Sequence, residues 1–70
     1  MEIQIVLTNH FGEFRGKQVT ISTEQYVDLI NLVKNFYLEG GFELTLEDET
    51  FVVFPPDVVK QSYIKINKIM

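Results

Sequence analysis

The chain has 70 residues, ten Asp or Glu against six Lys or Arg, one histidine and no cysteine, giving a formal net charge of −4. A domain of this size buries only about 60% of the surface its unfolded form exposes. Without cysteine it has neither a disulfide framework nor a thiolate zinc site, and His10 alone builds no histidine site, so good packing or self-association must supply stability.

The charge is segregated. Residues 1–34 carry four acids and three bases, residues 35–59 carry six acids and no Lys or Arg, and residues 60–70 carry three lysines and no acid. The first ten residues, MEIQIVLTNH, contain no basic leader pattern, and no apolar run approaches the roughly 18 residues of a membrane span. The expectation is a soluble, cytoplasmic, single domain over residues 1–70.

Residues 2–8, EIQIVLT, alternate with Ile3, Ile5 and Leu7 on one side, the period of a half-buried strand. A turn at NHFGEF follows, helped by Asn9 and Gly12. A second strand is predicted over residues 14–21, with Gly16 as the candidate position for a bulge. Ser22 and Gln25 form an S-x-x-Q capping box, and Glu24 suits the first turn of a helix. Over residues 23–38, Tyr26, Leu29, Ile30, Leu32, Val33, Phe36 and Tyr37 fall within one arc at 100° steps, predicting an amphipathic helix of about four turns. Gly40 and Gly41 are expected to end it in left-handed conformations.

Residues 42–46, FELTL, alternate with Phe42, Leu44 and Leu46 inward and Glu43 and Thr45 outward. Residues 50–54, TFVVF, do not alternate. Pro55 ends that strand, and PPDVVKQ predicts a single helical turn opened by Pro56. Residues 62–69, SYIKINKI, return as a last strand with Ile64 and Ile66 inward. The order β-β-α-β-β-turn-β with short connections predicts an α+β fold, a mainly antiparallel sheet with one amphipathic helix packed on one face.

In TFVVF, Phe51 and Val53 point one way and Val52 and Phe54 the other, so one bulky pair faces away from the helix. Val52 and Phe54, with Val6 and Tyr63 beside them, are the expected exposed set. Covering such a pair is worth roughly 3–6 kcal/mol, which points to a homodimer or a partner over the second face. The alternative is that PPDVVKQ folds back and covers it within the monomer.

The hairpin tip Glu47-Asp48-Glu49 lacks the Asn-Gly or Asp-Gly pair of a two-residue turn, so a longer loop built on a type I turn is expected. Two functions suit this tip. It keeps an apolar hairpin soluble and discourages edge pairing, or it joins Glu39 and Glu43 in a negative patch for a basic partner. The spaced Asp loop of a calcium site is absent.

No Gly-x-Ser-x-Gly turn, phosphate loop or dinucleotide fingerprint occurs, and His10 is expected to be a solvated turn residue. Neither enzyme activity nor a cofactor is expected. Lys60, Lys65 and Lys68, with Tyr63 among them, are the candidate strip for a nucleic-acid regulator, but the net charge opposes direct binding.

The pattern FVVFPPDVVKQSYIKI after an acidic hairpin resembles the small acidic proteins of phages and prophages of Gram-positive bacteria. The resemblance implies a host-takeover factor that inhibits without catalysis, in some cases by mimicking DNA on the DNA-binding surface of a basic protein such as the nucleoid protein HU or the sliding clamp. It carries no site residue of its own. The other reading of this chain is a structural or assembly subunit acting through the second sheet face.

Overall fold

The computed structural model describes residues 1–69, and the side chains of all of these except 36–39. The fold is α+β, with antiparallel strands and one main helix: β1 (Glu2–Asn9), β2 (Gly12–Arg15), β3 (Val19–Thr20), α1 (Thr23–Glu39), β4 (Phe42–Thr45), β5 (Phe51–Phe54), α2 (Pro56–Lys60) and β6 (Tyr63–Lys68). β1 is central. It pairs with β6 on one edge and with β2 and then β3 on the other, while β4 and β5 form a separate two-stranded hairpin.

The expected second strand is thus broken in two, and the register shows why. Val6 stands opposite Arg15 and Ile3 opposite Val19, so three residues, Gly16 to Gln18, face only Gln4 and Ile5. This is a bulge carrying one extra residue. At it the chain serves two partners: Gly16 N–H donates to the Ile5 carbonyl at 2.8 Å, and Lys17 N–H to the Thr45 carbonyl at 3.0 Å. The bulge stitches the hairpin to the main sheet. Glycine is required because a Cβ at residue 16 would lie 2.7 Å from Leu44 Cδ1 and 2.9 Å from the Ile5 carbonyl oxygen.

The capping box forms as its spacing predicts. Ser22 N–H donates to Gln25 Oε1 at 2.8 Å, and Gln25 N–H donates to Ser22 Oγ at 3.1 Å. Along α1, Val33 is buried and Tyr26, Leu29 and Ile30 are half-buried, but Leu32, assigned to the same arc, is 50% exposed. Phe36 and Tyr37 lie outside the described side chains. Gly41 is not left-handed; it admits a close approach, because a Cβ there would lie 2.6 Å from the Phe54 carbonyl oxygen.

The core gathers Leu7, Phe42, Leu44, Phe54 and Val59, with Ile5, Phe14, Leu46, Val52, Val58 and Ile64 packed against it. Phe14 meets Phe54 edge to face, centroids 5.1 Å apart, the favoured geometry for two aromatic quadrupoles. The short α2 delivers a fully buried Val59. It is fixed behind by Ser62, whose hydroxyl donates to the Val58 carbonyl at 2.6 Å and accepts from Asn9 Nδ2 at 3.2 Å. The proline turn does fold back into the monomer, but onto the inner side of the hairpin.

The opposite face of the main sheet carries Gln4, Val6 and Thr8 flanked by Glu13, Arg15, Tyr63, Lys65 and Asn67. Val6 is buried there, with Arg15 and Lys65 as its ladder neighbours. This second face is mostly polar, with Tyr63 exposed on it.

Candidate docking surface

The two hairpin turns differ in length, two residues between the paired Asn9 and Gly12 and three between Leu46 and Thr50. At the first, Asn9 Oδ1 accepts the Phe11 N–H at 2.8 Å and the positive φ falls on Gly12, at 136°. At the second, Glu49 N–H donates to the Leu46 carbonyl, Leu46 N–H to the Thr50 carbonyl, and the positive φ of 72° falls on Glu49. This is the expected longer loop, a three-residue connection with a left-handed third residue. Its parity places Leu46 opposite Thr50, Leu44 opposite Val52 and Phe42 opposite Phe54.

That parity reverses the expected exposed pair. Phe54 is 4% exposed within the core and Val52 packs against it, whereas Phe51 and Val53 point outward at 59% and 60% exposure. Tyr63, expected beside Val52 and Phe54, instead stands on the polar face of the main sheet, 76% exposed. Those three residues do not form one interface.

The acidic residues also separate. Glu47 accepts from Gln4 Nε2 at 3.1 Å and faces Arg15 Nε at 3.9 Å, while Arg15 also pairs with Glu13. Glu49 binds Lys17 Nζ at 2.6 Å. Asp48 accepts the Thr50 N–H at 3.0 Å, and hydrogen bonds from Thr50, its hydroxyl first and its backbone second, hold the Asp48 carboxyl below the usual carboxylate range. The tip is therefore a set of local pairs in which Arg15 and Lys17 offset two of its three charges. Glu43 stands apart on the outer face of β4, and the side chain of Glu39 lies outside those described.

The lysine strip is divided too. Alternation along β6 puts Lys65 with Tyr63 on the polar face and Lys68 on the helix side, where its ammonium sits 4.8 Å from the Tyr26 ring centroid. Lys60 belongs to α2. His10 is exposed in its turn, its ring 4.0 Å from that of Phe11. Among the described residues no group of three or more Asp, Glu or His side chains is placed to hold a metal ion, and no helix is long and apolar enough to cross a membrane.

What the structure does assemble is an apolar groove. Ile5 forms the floor; Leu29, Leu32 and Val33 of α1 form one wall, and Phe42, Glu43 and Val53 of the hairpin the other, around a cavity of ≈ 540 Å³. The floor continues between β3 and β4, bounded by Lys17, Gln18 and Val19 on one side and Glu43, Leu44 and Thr45 on the other. Leu32 and Val53 share the groove, and Phe51 lies two residues along from Val53 on the same strand face, so Phe51, Val53 and Leu32 make one apolar strip. Glu43 marks its rim, Asp28 lies at the far side in an adjoining hollow that shares Ile5, Leu29 and Leu32 with the groove, and the nearby Lys17 is already paired with Glu49.

This groove is not legible in the sequence, because α1 reads as a helix laid flat on its sheet. The available signal was the run TFVVF, apolar on both faces, which requires one pair to look outward. No protein-family model, curated protein or solved structure matches the chain.

Proposed function

We propose that the protein is a non-catalytic binding module that captures a basic partner protein through the strip formed by Phe51, Val53 and Leu32, with the groove over Ile5 behind it. The observation that carries this reading is the outward pair on β5, two large apolar side chains more than half exposed beside a half-exposed Leu32. Such a contiguous patch on a small polar-faced domain marks an interaction surface. Glu43 on the rim, Asp28 in the adjoining hollow, and the excess of acids over residues 35–59 give the preference for a basic partner.

The partner contact differs from mimicry of DNA by the hairpin tip. A DNA mimic must present a dense run of free carboxylates, and Glu47 and Glu49 are engaged by Arg15 and Lys17. Apolar contact with an acidic rim suits a stoichiometric inhibitor or adaptor, the behaviour implied by the likeness to short acidic phage proteins, with blockade achieved by occupancy.

Two variants separate the surfaces in a pull-down from bacterial lysate at low and high salt. Phe51→Asp with Val53→Asp should lose the captured protein at both salt levels. Glu47→Lys, Asp48→Lys and Glu49→Lys together should retain it at high salt. The reverse pattern would return the function to the tip.

A further inference from the structure

Antiparallel ladders alternate between residue pairs that exchange backbone hydrogen bonds and pairs whose backbone groups point away. In the hairpin, Leu46 bonds to Thr50, so Leu44 and Val52 are also a bonded pair, while the N–H and C=O of Thr45 and Glu43 point out of the hairpin at the free edge of β4. Thr45 confirms the direction, because its carbonyl accepts the Lys17 N–H at 3.0 Å, and two residues further on Glu47 N–H donates to the Arg15 carbonyl at 3.1 Å. One end of this edge is zipped to the chain's own bulge. The other end, at Glu43, has no backbone partner among the described residues, because after Lys17 the chain turns away to pair Val19 with Ile3.

We infer that the open half of the β4 edge is a strand-addition site for an extended segment of the partner protein in which apolar residues alternate with Lys or Arg. The inference rests on the docking surface proposed above and specifies how it is occupied. An added strand would continue the line that Lys17 abandons. Its backbone would bond Glu43, every second side chain would drop onto Ile5, Leu29 and Leu44, and the intervening ones would lie beside Glu43 and Thr45 on the outer face. A carboxylate at the cross-strand position selects a cation there. Asp28 in the adjoining hollow adds to that selection, and Lys17 does not oppose it because Glu49 holds its ammonium at 2.6 Å.

The probe is a fluorescein-labelled octapeptide of alternating Val and Lys, titrated by anisotropy against the full chain. Its controls are a peptide of the same composition with Val and Lys in two blocks, and an alternating peptide N-methylated at every amide, so that neither set of alternate N–H groups can bond the edge. Strand addition requires the parent peptide to bind at least about tenfold more tightly than either control. It also requires the exchange of the Glu43 amide with solvent deuterium to slow on binding. Glu43→Lys should weaken the Val/Lys peptide at least about fivefold and favour a Val/Glu peptide instead.

Equal binding of the N-methylated peptide would overturn strand addition. If Phe51→Asp with Val53→Asp still abolished capture in that case, the docking surface would stand and only its mode of occupation would fall. Failure of both would remove both readings. A concentration-dependent dimer in sedimentation, dissolved by Glu43→Lys, would assign the edge to a second copy and overturn the partner-strand inference.

Discussion

Replacing Glu49 with alanine and, separately, with glycine tests the geometry of the tip. Glu49 is held at φ 72°, where an L-residue with a Cβ is strained by about 1–2 kcal/mol. Both replacements lose the Lys17 ion pair, an exposed contact worth about 0.2–1 kcal/mol, so their difference is free of it. Alanine keeps the strain and glycine releases it, while glycine costs about 0.4–1 kcal/mol through the extra freedom it gives the unfolded chain. The balance leaves Glu49→Gly more stable than Glu49→Ala by about 1 kcal/mol, or roughly 4–8 °C in melting temperature for a domain of this size. At Glu47, which lies outside the positive-φ region, the order should reverse, with glycine the weaker by about 0.4–1 kcal/mol. Thermal unfolding followed by circular dichroism, with urea titration as a second measure, reads both differences. If alanine matched or exceeded glycine at residue 49, the left-handed three-residue turn, and the hairpin parity derived from it, would be wrong.

Phe54→Ala should cost about 3–5 kcal/mol, a large part of the total stability of a chain this short, and appear as unfolding in urea; Val53→Asp should change stability by no more than about 0.5 kcal/mol while abolishing capture of the partner. Gly16→Ala should lower stability by about 1–3 kcal/mol, because its Cβ meets the Ile5 carbonyl oxygen as well as a leucine methyl; an unchanged urea midpoint would refute the close approach. The depressed pKa of Asp48 contributes stability that is present above the unfolded value of about 3.9 and is lost as pH falls through the lower folded value. On acidification below about pH 4 the urea midpoint of the parent should therefore fall more steeply than that of Asp48→Asn, and parallel curves would contradict the bond to Thr50.

The elements that alternate or cap themselves were legible from the residues alone. Ile3, Ile5 and Leu7 in β1, Phe42 and Leu44 in β4, Ile64 and Ile66 in β6 and the Ser22–Gln25 box stand where their spacing puts them, and the extra residue at Gly16 forms the suspected bulge. The orientation of β5 was not legible from its composition, since Phe-Val-Val-Phe is equally apolar on both faces. It is set by the loop: a two-residue turn would bring Phe51 and Val53 inward, and one more residue brings Val52 and Phe54 inward instead. The expected longer loop already contained that answer. The neutralised tip was hidden for a different reason. Lys17 lies 32 residues from Glu49 in sequence, and only the bulge brings them together.

The central position of β1 also governs the order in which the molecule can be completed. The strand at the start of the chain takes as its neighbour β6, near residue 70, so more than fifty residues separate partners such as Thr8 and Tyr63. Closing that loop comes before any reward from the contacts it makes, which slows folding relative to a helical domain of the same length. Until β6 arrives, one edge of β1 has its backbone N–H and C=O groups unpaired. The transition state for folding is then expected to contain the β1–β2 hairpin and to lack β6, so destabilising substitutions in β6 should act mainly by accelerating unfolding.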